Sequence, residues 1–592
     1  MSCDKLVFDL SQEIEGSPVV FVQKSWLSIL DNQNQQYGSN QSVIDTSQLA
    51  NSNKYMSYRE SYLAMPLLLT LVATTPSADF TPATANSDYA VSLKSWFGTM
   101  IHSFTLDMQG TTIIQQTPYI NMWNSFKLLT SLSWEDVATQ GSTIGFYPDD
   151  PLTWAIQTAP SLAGVGICNN NFATVVPVAS GNQTAAGLGS GATYRSGLGN
   201  VGATMRAYNV AYDPTSVIGN QPYSTLLSAS STSQIWKSFV STKIDGTGAV
   251  NGCLQISIMA TIYLKHIHSF FSMVPLLKGI FLKMTMNLNN STTTFSVGAG
   301  PNAPISLVSV ANSVGGVNPI LVSSTAATTD YAGSIAFGGA SNLGELIYNA
   351  NISVGSRIID SATAQYAGAL ASGKVASSVY LYVPAYTFNP PFEQSYLSSP
   401  IKQIKYTDVY QYQVLGVNAG LPFNNLITNG ISNIKSILIV PFFSASNANG
   451  AQATGLPAGV PVYQSPFDTA GTGTTSPLIH FNNFNCVVSG QNAIYNTQRY
   501  AFEQFNNQLY GASSVNGGMT DGLTSGLIDR LGFDMAYCYY YVNVERMLPV
   551  EQSVPKSVQI IGTNQSQRAV DMWVFIEYGV DISIDILSGA RV

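Results

Sequence analysis

Histidine is the scarcest chemically versatile side chain in this 592-residue sequence, with four copies at His102, His266, His268 and His480. His266 and His268 stand two apart, a spacing that would put both on one face of a strand and would suit a pair of metal ligands. No Cys, Asp or Glu lies close enough in sequence to complete a shell, and the neighbours Leu264, Ile267, Phe270 and Phe271 fit a structural shoulder better. With only His102 and His480 left over, a nucleophile, histidine and acid triad has few ways to form. Asp581 and Asp585 share one face of the segment DISIDI, opposite Ile582, Ile584 and Ile586. Paired carboxylates hydrolyse glycosides when they stand about 5 to 9 Å apart across a sugar, but that chemistry needs a cleft and a raised pKa. A solvated strand face is the simpler expectation. Gly197, Gly199 and Gly202 have the spacing of a dinucleotide fingerprint, which works only between a buried strand and a helix. Here the flanks are SGATYRS and ATMRAYN inside a Gly-rich run, so a loop is expected, and no Gly-Lys-Ser/Thr step offers a P-loop. The sequence therefore predicts no catalytic residue, no cofactor site and no metal site.

The cysteines, Cys3, Cys168, Cys253, Cys486 and Cys538, are odd in number with no close pair, which argues for free thiols rather than a disulfide framework or zinc ribbon. The opening MSCDKLVFDLSQEIEGS carries acids where a signal peptide needs a basic then apolar stretch, so synthesis in the cytosol is expected. Sequons at Asn40, Asn182, Asn289, Asn290, Asn351 and Asn564 then read as coincidences of an Asn-, Ser- and Thr-rich chain. Charge is low: 9% charged residues against a typical ~25%, with 24 cations and 32 anions giving a net of -8. No block of like charge provides the concentrated cationic footprint of a nucleic-acid binder, so sequence-specific nucleic-acid binding is not expected. Neutral polar residues must cover most of the surface, which suits wide protein contacts because desolvating charge is costly. The most apolar stretches, 62–73 and 434–443, each contain a proline and fall short of the ~20 residues that span a bilayer, so buried strands are expected at both.

The elements that would position these residues are strands. In LQISIMATIYL, from Leu254 to Leu264, apolar and polar residues alternate, and the same period recurs in LKMTMNLN from Leu282, YTDVYQYQV from Tyr406, YCYYYVNV from Tyr537 and DISIDI. Each such strand buries only about three large apolar side chains at ~1.5 to 3 kcal/mol apiece, less than its own ordering entropy. Many must pack together, and the expected class is all-β. Segments 151–194, 284–329 and 436–467 are charge-poor and rich in Gly, Ala, Ser and Asn, and are expected to be surface loops elaborated with extra strands. An internal repeat organises the rest. FTLDMQGTTIIQQTPY, from Phe104 to Tyr119, matches FNCVVSGQNAIYNTQRY, from Phe484 to Tyr500, with Phe104, Gly110 and Ile114 paired to Phe484, Gly490 and Ile494 at constant offset. Each copy predicts a strand, a Gly turn, a second strand and a short helix with aromatic anchors. Two related β domains are expected, spanning 1–390 and 391–592, with the break where PAYTFNPPFEQSYLSSP sets four prolines close together.

At these residues the chain resembles the double jelly-roll major capsid proteins of DNA viruses. Gly110, Tyr119 and Trp123 take the positions of that family's first-domain turn and helix; Phe270, Phe271, Pro275 and Leu276 match its phenylalanine shoulder and Pro-Leu step. In the second half, Pro549, Gln552, Pro555 and Asn564 carry the likeness. The chain departs from the giant-virus members in its length, its neutral loops and the replacement of a doubled glycine by Gln109-Gly110, and in these it looks more like the proteins of virophages and Polinton-like viruses. The resemblance implies two tandem eight-stranded jelly-roll sandwiches with long loop insertions and short helices. It further implies a non-enzymatic structural protein that forms homotrimeric, pseudo-hexameric capsomers in an icosahedral virion. Its partners would be neighbouring capsomers, a single jelly-roll penton protein and minor or cement proteins, whether or not a membrane lies beneath. The alternatives are a β-rich surface adhesin or viral spike, which should carry a signal peptide or shorter repeats, and a β-sandwich glycoside-active enzyme, which needs a carboxylate pair in an aromatic cleft.

Overall fold

The computed structural model describes residues 19–33, 37, 40–50, 52–73, 89–149, 206, 208–209, 241–244, 250–297, 305–324, 346–355, 365–367, 378–444, 461–466, 471–476, 479–494, 500–515, 526–544, 553–566, 568–586 and 591. Sixteen strands form its frame. The first eight are β1 (Phe21–Leu30), β2 (Gln41–Asp45), β3 (Tyr62–Ala73), β4 (Ile101–Met108), β5 (Thr111–Ile114), β6 (Val250–Tyr263), β7 (Leu282–Leu288) and β8 (Tyr380–Phe388). Helices α1 (Ile120–Ser131) and α2 (Trp134–Ile144) follow β5, while two single turns, α3 (Leu264–Ile267) and α4 (Phe270–Met273), join β6 to β7. After α5 (Pro390–Leu397) come β9 (Ile401–Val417), β10 (Pro422–Ile431), β11 (Ile434–Phe443), β12 (Phe481–Val488) and β13 (Gln491–Asn492). Helices α6 (Phe502–Val515) and α7 (Arg530–Met535) precede β14 (Tyr540–Asn543), β15 (Lys556–Asn564) and β16 (Val570–Asp585).

Pairing makes the duplication explicit. In the first half β1, β8, β3 and β6 lie side by side in one sheet and β2, β7, β4 and β5 in another; in the second half the orders are β9, β16, β11, β14 and β10, β15, β12, β13. Adding eight to each number of the first pair of sheets gives the second pair. Both are jelly rolls, with every neighbouring pair antiparallel. The first roll carries extra strands: its first sheet grows to ten, and Leu346–Val354 takes over the flank of β3 from Leu67 onward, where β8 pairs only with residues 62–64. These additions are Tyr55–Met56, between β2 and β3, and strands from the segments just before β6 and between β7 and β8.

Each roll buries its inward side chains at period two. In β7 Leu282, Met284, Met286 and Leu288 are fully buried, and so are Leu63, Met65, Leu67, Leu381 and Val383 of the other sheet, all in one hydrophobic core. The repeated turn is built alike in both rolls: Gln109 and Gly110 have φ of 49° and 80°, Ser489 and Gly490 φ of 51° and 80°. Left-handed backbone at both central positions gives the twist that a two-residue hairpin needs, and glycine relieves the second position.

Several expectations need correction. The apolar stretch 434–443 is the buried strand expected of it, β11, so the loop expected over 436–467 does not begin at 436; the strand is buried almost throughout because both its faces are covered. The tyrosine-rich run is strand only over Tyr540–Asn543; before it the backbone is taken by the end of α7, where Tyr537 N–H bonds to Gly532 O at 2.9 Å. His266 and His268 do not share a strand face. Leu264 and Ile267, three apart and both buried, close a helical turn instead. In β9 the alternation breaks between Asp408 and Val409, which are both buried.

Candidate functional site: the joint between the two rolls

The two rolls meet through unlike surfaces, and the helix at the centre of the joint comes from the repeated unit. Helix α1 of the first roll starts at Tyr119, a non-glycine residue in left-handed backbone at φ 57°, and lies across the outer face of the β9, β16, β11, β14 sheet. Trp123 packs on Phe575 at 6.2 Å between ring centres, Phe126 on Tyr539 and Tyr541 at 5.1 and 5.7 Å, and Tyr119 on Trp573 at 5.8 Å. On the opposite face of the same sheet Tyr540 packs on Phe481 and Phe484 inside the roll, and Val574 and Ile576 are fully buried. Burial from both sides is why residues 437–443 of β11 and 572–576 of β16 read as continuous apolar runs, whereas DISIDI, past the helix, alternates.

Polar groups register the joint. Lys127 Nζ of α1 pairs with Glu577 Oε1 at 3.2 Å, and Ser436 donates to Oε2 at 2.7 Å. Burial pushes the Glu577 carboxyl up, but Lys127 and the hydroxyls of Ser436 and Thr407 outweigh it and hold the carboxyl below its ordinary range. On the flank, His268 Nδ1 accepts from Phe270 N–H at 3.2 Å, which leaves Nε2 as the protonated nitrogen, 3.3 Å from Asp408 Oδ1 of β9. Asp408 also accepts from Val409 N–H at 2.7 Å and from the Tyr578 hydroxyl at 3.2 Å. Ser269 Oγ donates to Thr407 O at 2.6 Å and accepts from Thr407 N–H at 3.0 Å, and Thr117 donates to Val409 O at 2.8 Å. These bonds satisfy backbone groups on the side of β9 that no described strand pairs, so the first roll caps the free edge of the second.

A strap from the second roll returns the grip. Leu527 N–H bonds to Leu129 O at 2.8 Å, with Gly526 at φ 69° so close that a Cβ would collide with that same oxygen. Asn318 bonds through N–H and Nδ2 to Tyr463 O and Gln464 O, each at 3.1 Å, and the buried Lys94 donates to Ser465 O at 2.6 Å.

Among the described residues, the equivalent outer face of the first roll is open around Trp26. Trp26 lies 5.7 Å from Tyr62, which stacks on Tyr382 at 5.1 Å and meets Tyr263 at 5.8 Å. Trp26 is 49% exposed, Leu30 44% and Met259 57%. Lys24 pairs with Glu60 at the rim, and the Tyr386 hydroxyl donates to Glu60 at 2.6 Å.

The residues singled out for chemistry sit elsewhere. His266 is enclosed by Trp96 and Tyr263, and burial followed by Lys265 pushes it down to about 4. The Asp581 carboxylate accepts from Gln403 at 2.7 Å and faces Lys405 at 3.6 Å, while Ile582, Ile584 and Ile586 are buried behind it. Gly197, Gly199 and Gly202 lie outside the described residues, as do Asn182, Pro549 and Gln552. Among the sequons, Asn289 and Asn564 are fully buried with their side-chain amides bonded to backbone oxygens. Among the described residues no group of three His, Cys, Asp or Glu side chains could hold a metal, and no helix is long and apolar enough to cross a membrane. Sequence reasoning missed Asp408, Glu577, Lys127 and Trp26; the signal available was the loss of alternation in β11 and β16, the mark of a sheet covered on both sides.

No family model and no curated protein matches the sequence. Among solved structures the chain is similar to one from the Sputnik virophage determined by cryo-electron microscopy, at 13% identity over 99% of this chain and 91% of that one, with a TM-score of 0.45. It is also similar to the mavirus major capsid protein, at 10% identity over 98% and 92% of the two chains and a TM-score of 0.38. The Faustovirus major capsid protein matches at 8% identity over 97% and 93%, with a TM-score of 0.42.

Proposed function

We propose that the chain is a major capsid protein, a structural and non-enzymatic subunit whose homotrimers tile an icosahedral virus shell. The observation that carries this reading is the joint: two copies of one roll, joined head to tail through unlike surfaces, with the receiving face of the first copy left open among the described residues. A heterologous contact of that kind repeats from copy to copy and closes into a ring where its rotation allows. Three chains supply six rolls, and alternating related but unequal rolls give a three-fold particle with a nearly hexagonal outline. In this reading residues 1–390 form the first roll with its insertions and 391–592 the second.

The polarity of each roll supports the same assignment. Because neighbouring strands are antiparallel, the long segments 74–100, 115–249 and 289–379 all leave the first roll at one end. Those at 444–480 and 493–539 leave one end of the second. The opposite end of the first roll carries the start of β1, the repeated hairpin and α5. A subunit standing upright in a shell needs such a division between an elaborated outer end and a plainer inner end. Neighbouring capsomers, a penton protein and minor or cement proteins are the partners this role requires, and the virion is its place. Negative-stain imaging of purified protein tests the reading: hexagon-shaped, three-fold particles are expected, and isolated monomers at every salt concentration tried would count against it.

A further inference from the structure

We infer that the contact between residues 312–318 of the first roll and 461–465 of the second is a clasp that mild acid releases, with His102 as the group that senses the proton. Such a device belongs to the single chain and does not depend on the capsid reading. Asn318 holds Tyr463 O and Gln464 O, Gln464 Nε2 donates to Gly316 O, and Lys94 donates to Ser465 O at 2.6 Å. Asn312 shapes the first-roll side, where its Oδ1 accepts from Val314 N–H at 3.0 Å and Gly316 N–H at 3.2 Å. Tyr463 packs on Trp573 at 4.9 Å, and the Tyr119 hydroxyl donates to Gly315 O at 3.3 Å. His102 of β4 lies under this turn. Its ring is 4.8 Å from that of Tyr119, and a Cβ built on Gly316 would stand 2.6 Å from its Nδ1, so backbone covers the nitrogen directly. That buried Nδ1 has no hydrogen-bond partner among the described residues. At the offset that pairs Phe104 with Phe484 the second roll carries Asn482, half-buried, so the enclosed imidazole is peculiar to the copy whose helix makes the joint.

A neutral imidazole tolerates this cover and an imidazolium does not. Both nitrogens of the cation are donors, and Nδ1 has only the Gly316 backbone before it. Positive charge there also opposes the N-terminal end of the α1 dipole, which starts at Tyr119. Burial holds His102 down, at about 4 from an ordinary 6.5. Opening the clasp lets water reach the ring and restores its ordinary proton affinity. Proton binding therefore favours the open form, and opening grows up to about ten-fold per pH unit as pH falls from about 6.5 toward about 4. The other polar groups around this hub do not drive the change. Lys94 is itself a cation and gives an imidazolium no partner. Asp571, whose charge bears on Tyr463, is pushed up by burial, so protonating it favours the closed form. Tyr119 and Tyr463 are neutral phenols across this window.

Hydrogen exchange at about pH 7 and about pH 5, corrected for the intrinsic exchange rate, tests the clasp in wild type, His102→Gln and Gly316→Ala. In wild type the opening of residues 312–318 and 461–465 should rise roughly 20-fold between the two conditions. Residues 122–131 of α1 should keep their protection. His102→Gln should lose the rise. Gly316→Ala pushes the turn off the ring and should open the clasp already at neutral pH, an arm that decides the matter even where the glutamine variant does not fold. A rise undiminished in His102→Gln, a rise shared equally by α1, or an alanine variant as closed as wild type at neutral pH overturns the assignment.

Discussion

Asp408 shows how one side chain ties the two rolls together, since it accepts from His268 of the first roll and from Val409 N–H and the Tyr578 hydroxyl of the second. Asp408→Ala leaves these donors unmatched in a buried site, each worth about 1 to 3 kcal/mol, and the expected loss is about 3 kcal/mol, read from the denaturant midpoint at constant m-value. His102 has the opposite character. It is 7% exposed, and burial pushes it down to about 4 from an ordinary 6.5. Its unfolded form therefore binds a proton that the folded form refuses, so stability falls as pH drops from about 6.5 toward about 4. Replacing His102 with Gln should flatten the melting temperature across that window, and an unchanged acid slope would contradict it. Asp31 runs the other way: burial pushes its carboxyl up despite bonds from Tyr37 and Ser42. Its contribution is present at low pH and lost as pH rises through its folded pKa, so Asp31→Asn should raise the melting temperature at neutral pH.

Glycines separate local from joint strain at the scale of elements. Gly110 and Gly490 both have φ of 80° with open space where a Cβ would stand, nothing lying within 4 Å, so alanine there meets only the left-handed penalty of about 1 kcal/mol. Gly526 also has positive φ, but its Cβ would strike Leu129 O and Thr130 of α1. Gly526→Ala should cost clearly more than Gly110→Ala in parallel melts, and equal costs would show that the strap is not tight. The hairpins are legible in the sequence because a Gly turn between alternating strands is a local signal, and Phe104 and Phe484 then fix the register of the duplication. Tyr119 and Trp123 are legible as anchors, but not what they anchor to, since Trp573 and Phe575 lie hundreds of residues away. The turn at Leu264–Ile267 escapes sequence reading for the same reason: its spacing serves packing against the distant helix α1, which no local pattern records.

Across the whole molecule, composition speaks for neutral surfaces and wide contacts, and the structure places such contacts first within the chain. Phe126 at the centre of the joint is 1% exposed, and Phe126→Ala should cost about 3 to 5 kcal/mol and loosen one roll from the other. Limited proteolysis should then cut near α5, whose residues are all at least partly exposed, faster than in wild type. The shell account asks more, because a head-to-tail joint with an open receiving face must be completed by another copy. The most direct measurement is the solution mass by light scattering across protein and salt concentration. The account predicts three times the 63.3 kDa of the chain, dissociating to single chains on dilution. A mass that stays at one chain, or settles at two, would contradict it.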